Sequence, residues 1–280
     1  MKYFSVFSGV GGFENGIGDN GNCVGFSEID KHASAVLRYR FPHVKNYGSI
    51  TDIDWSTVPD FDLLVGGSPC QDFSIAGKRA GLVGARSGLA YEYIRALEEK
   101  RPTHFIWENV KGVLSSNRGW DFAAILNQMA EAGYSLWWQV LNAKDFGVPQ
   151  NRERVFVVGT RNGSPREVFF EQGNAGKNHG KGTRYSTEAS RPEIGQAIRP
   201  YNADGIVPPL NNWSPCLAGS RLRRLTPVEC ERLMSWPDDW TKFGDYGNGP
   251  KEISDSQRYK MCGNGVVSEV VAKLVEETIK

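Results

Sequence analysis

The sequence predicts an α/β fold: a Rossmann-like, mostly parallel sheet with helices on both faces, joined to a small loop-rich lobe. Three observations carry that prediction. From residue 1 to about residue 160, short β-rich runs alternate with helical periodicities, and such alternation implies right-handed crossovers between parallel strands. Residues 161–224 then hold eight Gly and six Pro with no sustained period. Last, the chain ends in GNGVVSEVVAKLVEETI, a helical apolar stripe that needs a surface to cover it. With 280 residues, 40% of them hydrophobic and 23% charged, there is material for one large domain or a domain plus a lobe. The expected organisation is a sheet domain over 1–160, a loop-rich lobe over 161–254, and a segment over 255–280 that returns to the first domain.

The elements follow in order. YFSVF (3–7) reads as the first strand and runs into the glycines of FSGVGGF (7–13). CVGFSEI (23–29) is the second strand, and KHASAVLRYRF (31–41) has apolar residues three and four apart, as a helix does. FDLLVGG (61–67) and HFIWENV (104–110) are strands on either side of the helix LAYEYIRALEEK (89–100). WDFAAILNQMAEAG (120–133) is a further helix, followed by the strands YSLWWQVL (134–141) and RVFVVGT (154–160). Beyond the lobe, TPVECERLMSW starts a helix with Thr226 as N-cap, Pro227 at the first helical position and Glu229 three residues past the cap. The last stripe consists of Val267, Val270, Val271, Leu274 and Thr278, and the sheet is its expected partner.

Charge and cysteine usage narrow the class. The formal net charge is only +1, yet residues 161–224 carry ten Lys/Arg against five Asp/Glu. A basic lobe on a near-neutral protein suits a polyanion, although a solvated loop face would look similar. The five cysteines show no C-x-x-C spacing and there are only four histidines, which argues against a disulfide framework or a zinc cluster and for a reducing compartment. The first residues, MKYFSVFSGVGGF, do not resemble a signal peptide, and no apolar run approaches membrane-spanning length. A cytoplasmic protein is expected.

In open α/β sheets, ligands bind beyond the carboxyl ends of the strands, and the unusual residues gather there. FSGVGGF supplies Gly9, Gly11 and Gly12, but the dinucleotide fingerprint needs a third glycine where Glu14 stands. A carboxylate there would repel a pyrophosphate and tolerate a cationic or uncharged adenosine ligand. Glu28 lies nineteen residues past Gly9, about where an acidic group holds ribose hydroxyls. Cys70, after Pro69 at a strand end, is placed as a nucleophile would be; a packing cysteine is the plainer reading of it alone. Arg152 and Arg154 stand two apart at a strand start, which puts both on one face. Glu108 ends the strand HFIWENV, where desolvation would let it carry a proton near neutrality; taken singly, a capping or ion-pairing glutamate reads as well.

These blocks together resemble the cytosine-carbon-5 DNA methyltransferase family nearly end to end. The match lies in their order: FSGVGGF, SEID, TDID, GGSPCQDFS, RSGLAYEY, WENV, FGVPQNRERVFVVG, a variable stretch, RRLTPVECERLMSWPDDWT and QRYKMCGNGVV. The resemblance implies that Cys70 is the nucleophile, that Glu108 contacts the cytosine N3 and exocyclic amine, and that Arg154 is held against O2 with Arg152 as its companion. It implies an S-adenosylmethionine pocket lined by Phe7, Ser8, Gly9, Val10, Gly11, Gly12, Glu28, Ile29, Asp52, Ile53, Pro69, Leu89, Asn264 and Val266. In that match Glu28 takes the ribose hydroxyls and Asp52 the adenine amine. Gln71 and Ser74 fall in the segment that contacts DNA, and residues 161–222 occupy the target-recognition region. That region is short, so Lys177, Lys181, Arg184 and Arg221 within it, with Arg223 and Arg224 just after it, are the expected DNA contacts. The implied partner is double-stranded DNA, with no metal and no membrane, and the chain is expected to act as a monomer.

Three rivals stand beside this reading. One branch of the same family methylates tRNA with the same chemistry. A cysteine hydrolase would need a histidine partner, and His32, His43, His104 and His179 all lack a supporting motif, His104 lying at the wrong end of its strand. A non-catalytic DNA-binding relative would not need Cys70, Glu108 and both arginines together.

Overall fold

The computed structural model describes residues 1–69, 88–161, 163, 215–218 and 221–279. Six strands form the central sheet: β1 Lys2–Val6, β2 Asn22–Ser27, β3 Leu63–Gly67, β4 His104–Val110, β5 Ser135–Asn142 and β6 Glu153–Thr160. Their order is β2-β1-β3-β4-β6-β5. β1 pairs in parallel with β2 and β3, and β3 with β4, while β6 runs antiparallel to both β4 and β5. The mostly parallel sheet expected from the sequence therefore contains one reversed strand. The chain steps from β1 outward to β2 and then to β3 on the other side, so the switch point lies at the carboxyl end of β1.

Helices cover both faces. α1 Gly12–Ile17, α2 Lys31–Arg40 and α7 Ser268–Thr278 lie on one; α3 Leu89–Lys100 and α4 Trp120–Glu131 lie on the other. The strands are apolar at nearly every position because successive side chains feed opposite cores. Tyr3, Leu63, Val65, Ile106 and Val158 join Phe13, Ile17, Val36, Val271 and Leu274. Phe4, Leu64, Phe105, Trp107 and Val157 join Tyr93, Ile94, Leu97, Ile125 and Met129. α1 is six residues long and packs against α7, so the closing stripe is covered by that helix as well as by the sheet.

The helix expected at Thr226 is α5, Pro227–Arg232, and its capping box is complete: the Thr226 hydroxyl accepts from the Glu229 N–H while the Glu229 carboxylate accepts from the Thr226 N–H. α6, Asp255–Asn264, follows a short hairpin of β9 Phe243–Asp245 and β10 Pro250–Glu252. A second hairpin pairs β7 Pro215–Ala218 with β8 Arg221–Arg224. Leu225, Leu233, Met234, Trp236, Trp240 and Ile253 belong to the same core as α1 and α7. This stretch of residues 225–253 is thus packed onto the sheet's first face.

Candidate active site

The carboxyl ends of β1 and β2 form the first half of the site. The chain leaves β1 through Phe7 at φ 53°, a left-handed conformation that costs a non-glycine residue free energy, followed by Gly9 at 57° and Gly11 at 88°. Glu28 closes over this turn: its Oε2 accepts from the Gly9 N–H at 2.8 Å and its Oε1 from the Asp30 N–H at 2.7 Å. Burial raises the Glu28 pKa against these hydrogen bonds, which favour the charged form. Beside it Ile29 is 75% exposed. A large aliphatic side chain left in water next to a carboxylate fits a ligand with one flat apolar face and nearby hydroxyls. Asp52 is exposed in a 3-10 turn, Ile50–Asp52, and Asn264, the last residue of α6, is exposed as well.

Gly12 brings the two ends of the chain together. A Cβ at this position would fall 2.8 Å from both Cγ1 and the carbonyl oxygen of Val266, so only glycine lets the first turn of α1 reach the α6–α7 connection. Ser268 Oγ donates to the Gly12 carbonyl at 2.7 Å in the same place. Pro69 is exposed and Leu89 half-buried at the first position of α3.

Two side chains of this half point inward. Ile53 is 5% exposed and packs into the second core beneath α3, which leaves its backbone as the part available to a ligand. Glu14 does not face a ligand either. It is turned into the sheet beside Ser5 on β1 and close enough to Tyr3 and Cys23 to raise the pKa of both. Burial pushes Glu14 itself up to about 7.

The second half lies at the ends of β3, β4 and β6. Parallel pairing sets Gly67 beside Glu108, and antiparallel pairing sets Val110 beside Arg154. Arg154 Nε meets Glu108 Oε1 at 3.0 Å, with both side chains largely buried. Burial raises the Glu108 pKa, opposed by the Arg154 and Arg152 guanidinium charges; the net direction is upward. An ion pair held this far from water at a strand mouth can deliver a proton and still keep its carboxylate oriented.

Ser68 fastens the chain just short of position 70. Its carbonyl accepts from Asn109 Nδ2 at 2.9 Å, and its Oγ accepts from Asn109 Nδ2 and from Trp107 Nε1, each at 3.2 Å. The end of β3 is thereby tied to the end of β4. Sequence reasoning did not single out Ser68, Asn109 or Trp107 as site residues; the apposition of two strand ends is the signal, and only the sheet order reveals it. Cys70, Gln71 and Ser74 lie outside the described residues, as do Lys177, Lys181 and Arg184.

Arg152 shares a cleft with Arg154, Phe156 and Val266. It is 3% exposed, and its Nη2 donates to the carbonyls of Gly263 at 2.9 Å and Gly265 at 2.6 Å. Those bonds brace the connection carrying Asn264 and Val266. Arg224 is also engaged: its guanidinium stacks 3.7 Å from the Tyr259 ring centroid. Arg221 and Arg223 fall on β8, and their side chains lie outside what is described.

Gly67 gives the site a direct test. A Cβ at this position would lie 2.5 Å from Glu108 Oε2, so Gly67→Ala must displace the carboxylate. Misplacing a reacting group by about 1 Å costs roughly 100-fold in rate, and that loss is expected in single-turnover catalysis with donor binding retained. A Gly67→Ala protein at the wild-type rate would show that Glu108 does not need this position.

Comparison with known proteins adds an independent observation. The model of the family described as C-5 cytosine-specific DNA methylase matches residues 1–199 and 177–280. The orphan methyltransferase M.SPRI of Bacillus phage SPR is 43% identical over 166 residues, covering 58% of this chain and 38% of that protein. The type II methyltransferase M2.BsuMI of Bacillus subtilis is 33% identical over 306 residues, covering 100% of this chain and 75% of the relative. M.HhaI of Haemophilus parahaemolyticus is 32% identical over 310 residues, covering 97% and 92%. The match therefore spans little more than a third of the phage relative but nearly all of M.HhaI. Among solved structures, a mutant DNMT2 of Spodoptera frugiperda superposes with a TM-score of 0.72 at 18% identity, covering 100% of this chain and 99% of the other. A putative DNA modification methyltransferase from an Escherichia coli prophage gives 0.70 at 17% identity, covering 99% and 98%. At these identities the two structures speak for the fold.

Proposed function

The chain belongs to the C-5 cytosine-specific DNA methylases, and from that premise we propose that it methylates carbon 5 of a cytosine flipped out of duplex DNA, using S-adenosylmethionine. The observation that carries this reading is the buried Glu108–Arg154 pair at the mouth of β4, two strand ends away from the Gly9–Glu28 turn.

Carbon 5 of cytosine is too weak a nucleophile to take a methyl group unaided. Addition of the Cys70 thiolate to carbon 6 pushes an electron pair into the ring, and Glu108 donates a proton or strong hydrogen bond to N3 to receive it. The ring becomes an enamine whose carbon 5 is electron-rich. Arg154 holds the Glu108 carboxyl in place and offers its remaining N–H groups to O2. After methylation a base removes the proton from carbon 5, the double bond re-forms, and the Cys70 sulfur leaves carbon 6. Cysteine suits both ends of that cycle because a thiolate adds readily and also departs. The target atoms are stacked inside a duplex, so the base must leave it, at a cost of a few kcal/mol that pocket contacts offset.

The residues around β1 and β2 fit the methyl donor. Glu28 would take its ribose hydroxyls, Ile29 the adenine face, and Asp52 the adenine amine, with the Phe7–Gly12 turn and Asn264–Val266 enclosing the rest. When bound there, the donor supplies an electrophilic methyl group on sulfonium. Glu14, buried in the first turn of α1 and facing inward, leaves the entrance free of a repelling charge.

Parallel assays decide the substrate. Tritiated methyl transfer into duplex DNA, but not into tRNA, is expected, with bisulfite sequencing locating the modified cytosines. Transfer into tRNA alone would overturn the DNA reading and keep the chemistry.

A further inference from the structure

Five large hydrophobic side chains stand exposed among the described residues: Met1, Ile29, Tyr39, Trp120 and Trp138. Met1 begins the chain, and Ile29 belongs to the donor pocket proposed above. Tyr39 packs with the Phe243 ring and lies under the Arg40 guanidinium. Trp138 has a ring partner in Phe122, 5.2 Å away. Trp120, 71% exposed, has no ring partner among the described residues.

The segment before Trp120 is built at a cost. Asn117 (φ 46°, ψ 42°) and Arg118 (φ 58°, ψ 28°) are successive non-glycine residues in the left-handed region, followed by Gly119 at φ 90°. Such conformations persist where the surroundings fix them, and they concentrate at functional positions. Here Asp121 does the fixing: its Oδ2 accepts from Ser116 Oγ at 2.5 Å and its Oδ1 from Asn117 Nδ2 at 3.1 Å. Arg118 is exposed and has no ion-pair partner among the described residues. The connection from β4 to this turn begins next to Val110, which pairs with Arg154. Lys111 Nζ reaches Glu153 Oε2 at 2.9 Å, and Glu153 precedes the Arg154 that holds Glu108.

We propose that this turn is a second contact with the DNA, Arg118 against a phosphate and Trp120 against the base or deoxyribose faces of nucleotides flanking the flipped cytosine. The proposal rests on the DNA-methylating reading. A cation beside an unpartnered indole, on the connection that leaves the Glu108-bearing end of β4, matches the chemistry of nucleic-acid backbones and unstacked bases. Because Trp120 is exposed, its removal leaves the core intact.

The test is duplex binding by fluorescence anisotropy in the presence of S-adenosylhomocysteine, using DNA that the wild-type enzyme methylates. Trp120→Ala is expected to weaken binding about tenfold while Trp120→Phe retains most of it. Arg118→Ala is expected to lower the slope of log affinity against log salt by about one. Melting temperature and the KM for S-adenosylmethionine should stay at wild-type values in all three. Wild-type duplex affinity in Trp120→Ala overturns the proposal, and so does a fall in melting temperature that accounts for the lost affinity. A wild-type protein that methylates no DNA would instead overturn the reading beneath it.

Discussion

Cys70→Ala is expected to reduce methyl transfer to background while S-adenosylmethionine still binds, as isothermal calorimetry would record. Alanine removes the group that adds to carbon 6 in the proposed mechanism, and without that addition carbon 5 stays unactivated. Losing a nucleophile typically costs several orders of magnitude in rate. The proposed donor pocket draws on β1, β2 and the α6–α7 connection, so binding there is not expected to depend on the thiol. A positive test accompanies the loss. With 5-fluorocytosine at the target position, fluorine replaces the proton that must leave carbon 5, so elimination cannot occur and the sulfur stays bonded to carbon 6. Wild-type protein with the methyl donor should accumulate a denaturation-resistant adduct that peptide mass spectrometry maps to residue 70. Methylation of the ordinary oligonucleotide without any adduct on the fluorinated one would remove covalent catalysis from the account. At an ordinary pKa of ~8.5 about 3% of a thiol is ionised at pH 7, so thiolate formation taken alone would raise the rate with pH.

Much of the scaffold could be read because its two-sided burial writes itself into the chain. FDLLVGG and HFIWENV are apolar without alternation, as strands covered on both faces must be, and both occur where expected. The reversed direction of β6 was not read, although a signal existed. Residues 143–152 between β5 and β6 are too few for the crossover that parallel strands require, which usually takes a dozen or more. α6 escaped for a different reason. Its buried members include Arg258, which pairs with Glu231 at 2.9 Å, so polar residues occupy the buried face and the apolar period is lost.

The site was legible as an inventory and less so as an arrangement. SEID and TDID each place an isoleucine next to an acidic residue, yet Ile29 is 75% exposed and Ile53 only 5%. Local sequence does not separate them; the packing of α3 over the second core does. Period-two spacing correctly set Arg152 and Arg154 on one face. It could not show that Arg152 would be spent on two backbone carbonyls across the chain, because those glycines lie more than a hundred residues away. Gly67 looks like any turn glycine until the register sets it against Glu108.

Glu108→Gln isolates the proton from the shape. The amide fills the same volume and can still bond to a ring nitrogen, but it cannot give up a proton to N3. General acids contribute roughly 10²–10⁴-fold, and a loss in that range is expected in single-turnover rate, with a far smaller change in duplex affinity. The pH dependence supplies the sign. Burial raises the Glu108 pKa over the opposition of Arg154 and Arg152, so the acid form survives to higher pH than an exposed glutamate would allow. In the wild type, rising pH creates thiolate on Cys70 but removes the proton from Glu108, and the rate stops climbing or falls once that proton is gone. In Glu108→Gln only the thiolate titrates, so the rate should go on rising until the thiol is fully ionised. Gly67→Ala acts through the same carboxylate, so the double variant should be no slower than Glu108→Gln alone. Losses that multiply would mean that Gly67 acts by another route. A Glu108→Gln protein that loses DNA affinity as steeply as rate would place the glutamate in base capture instead of proton delivery.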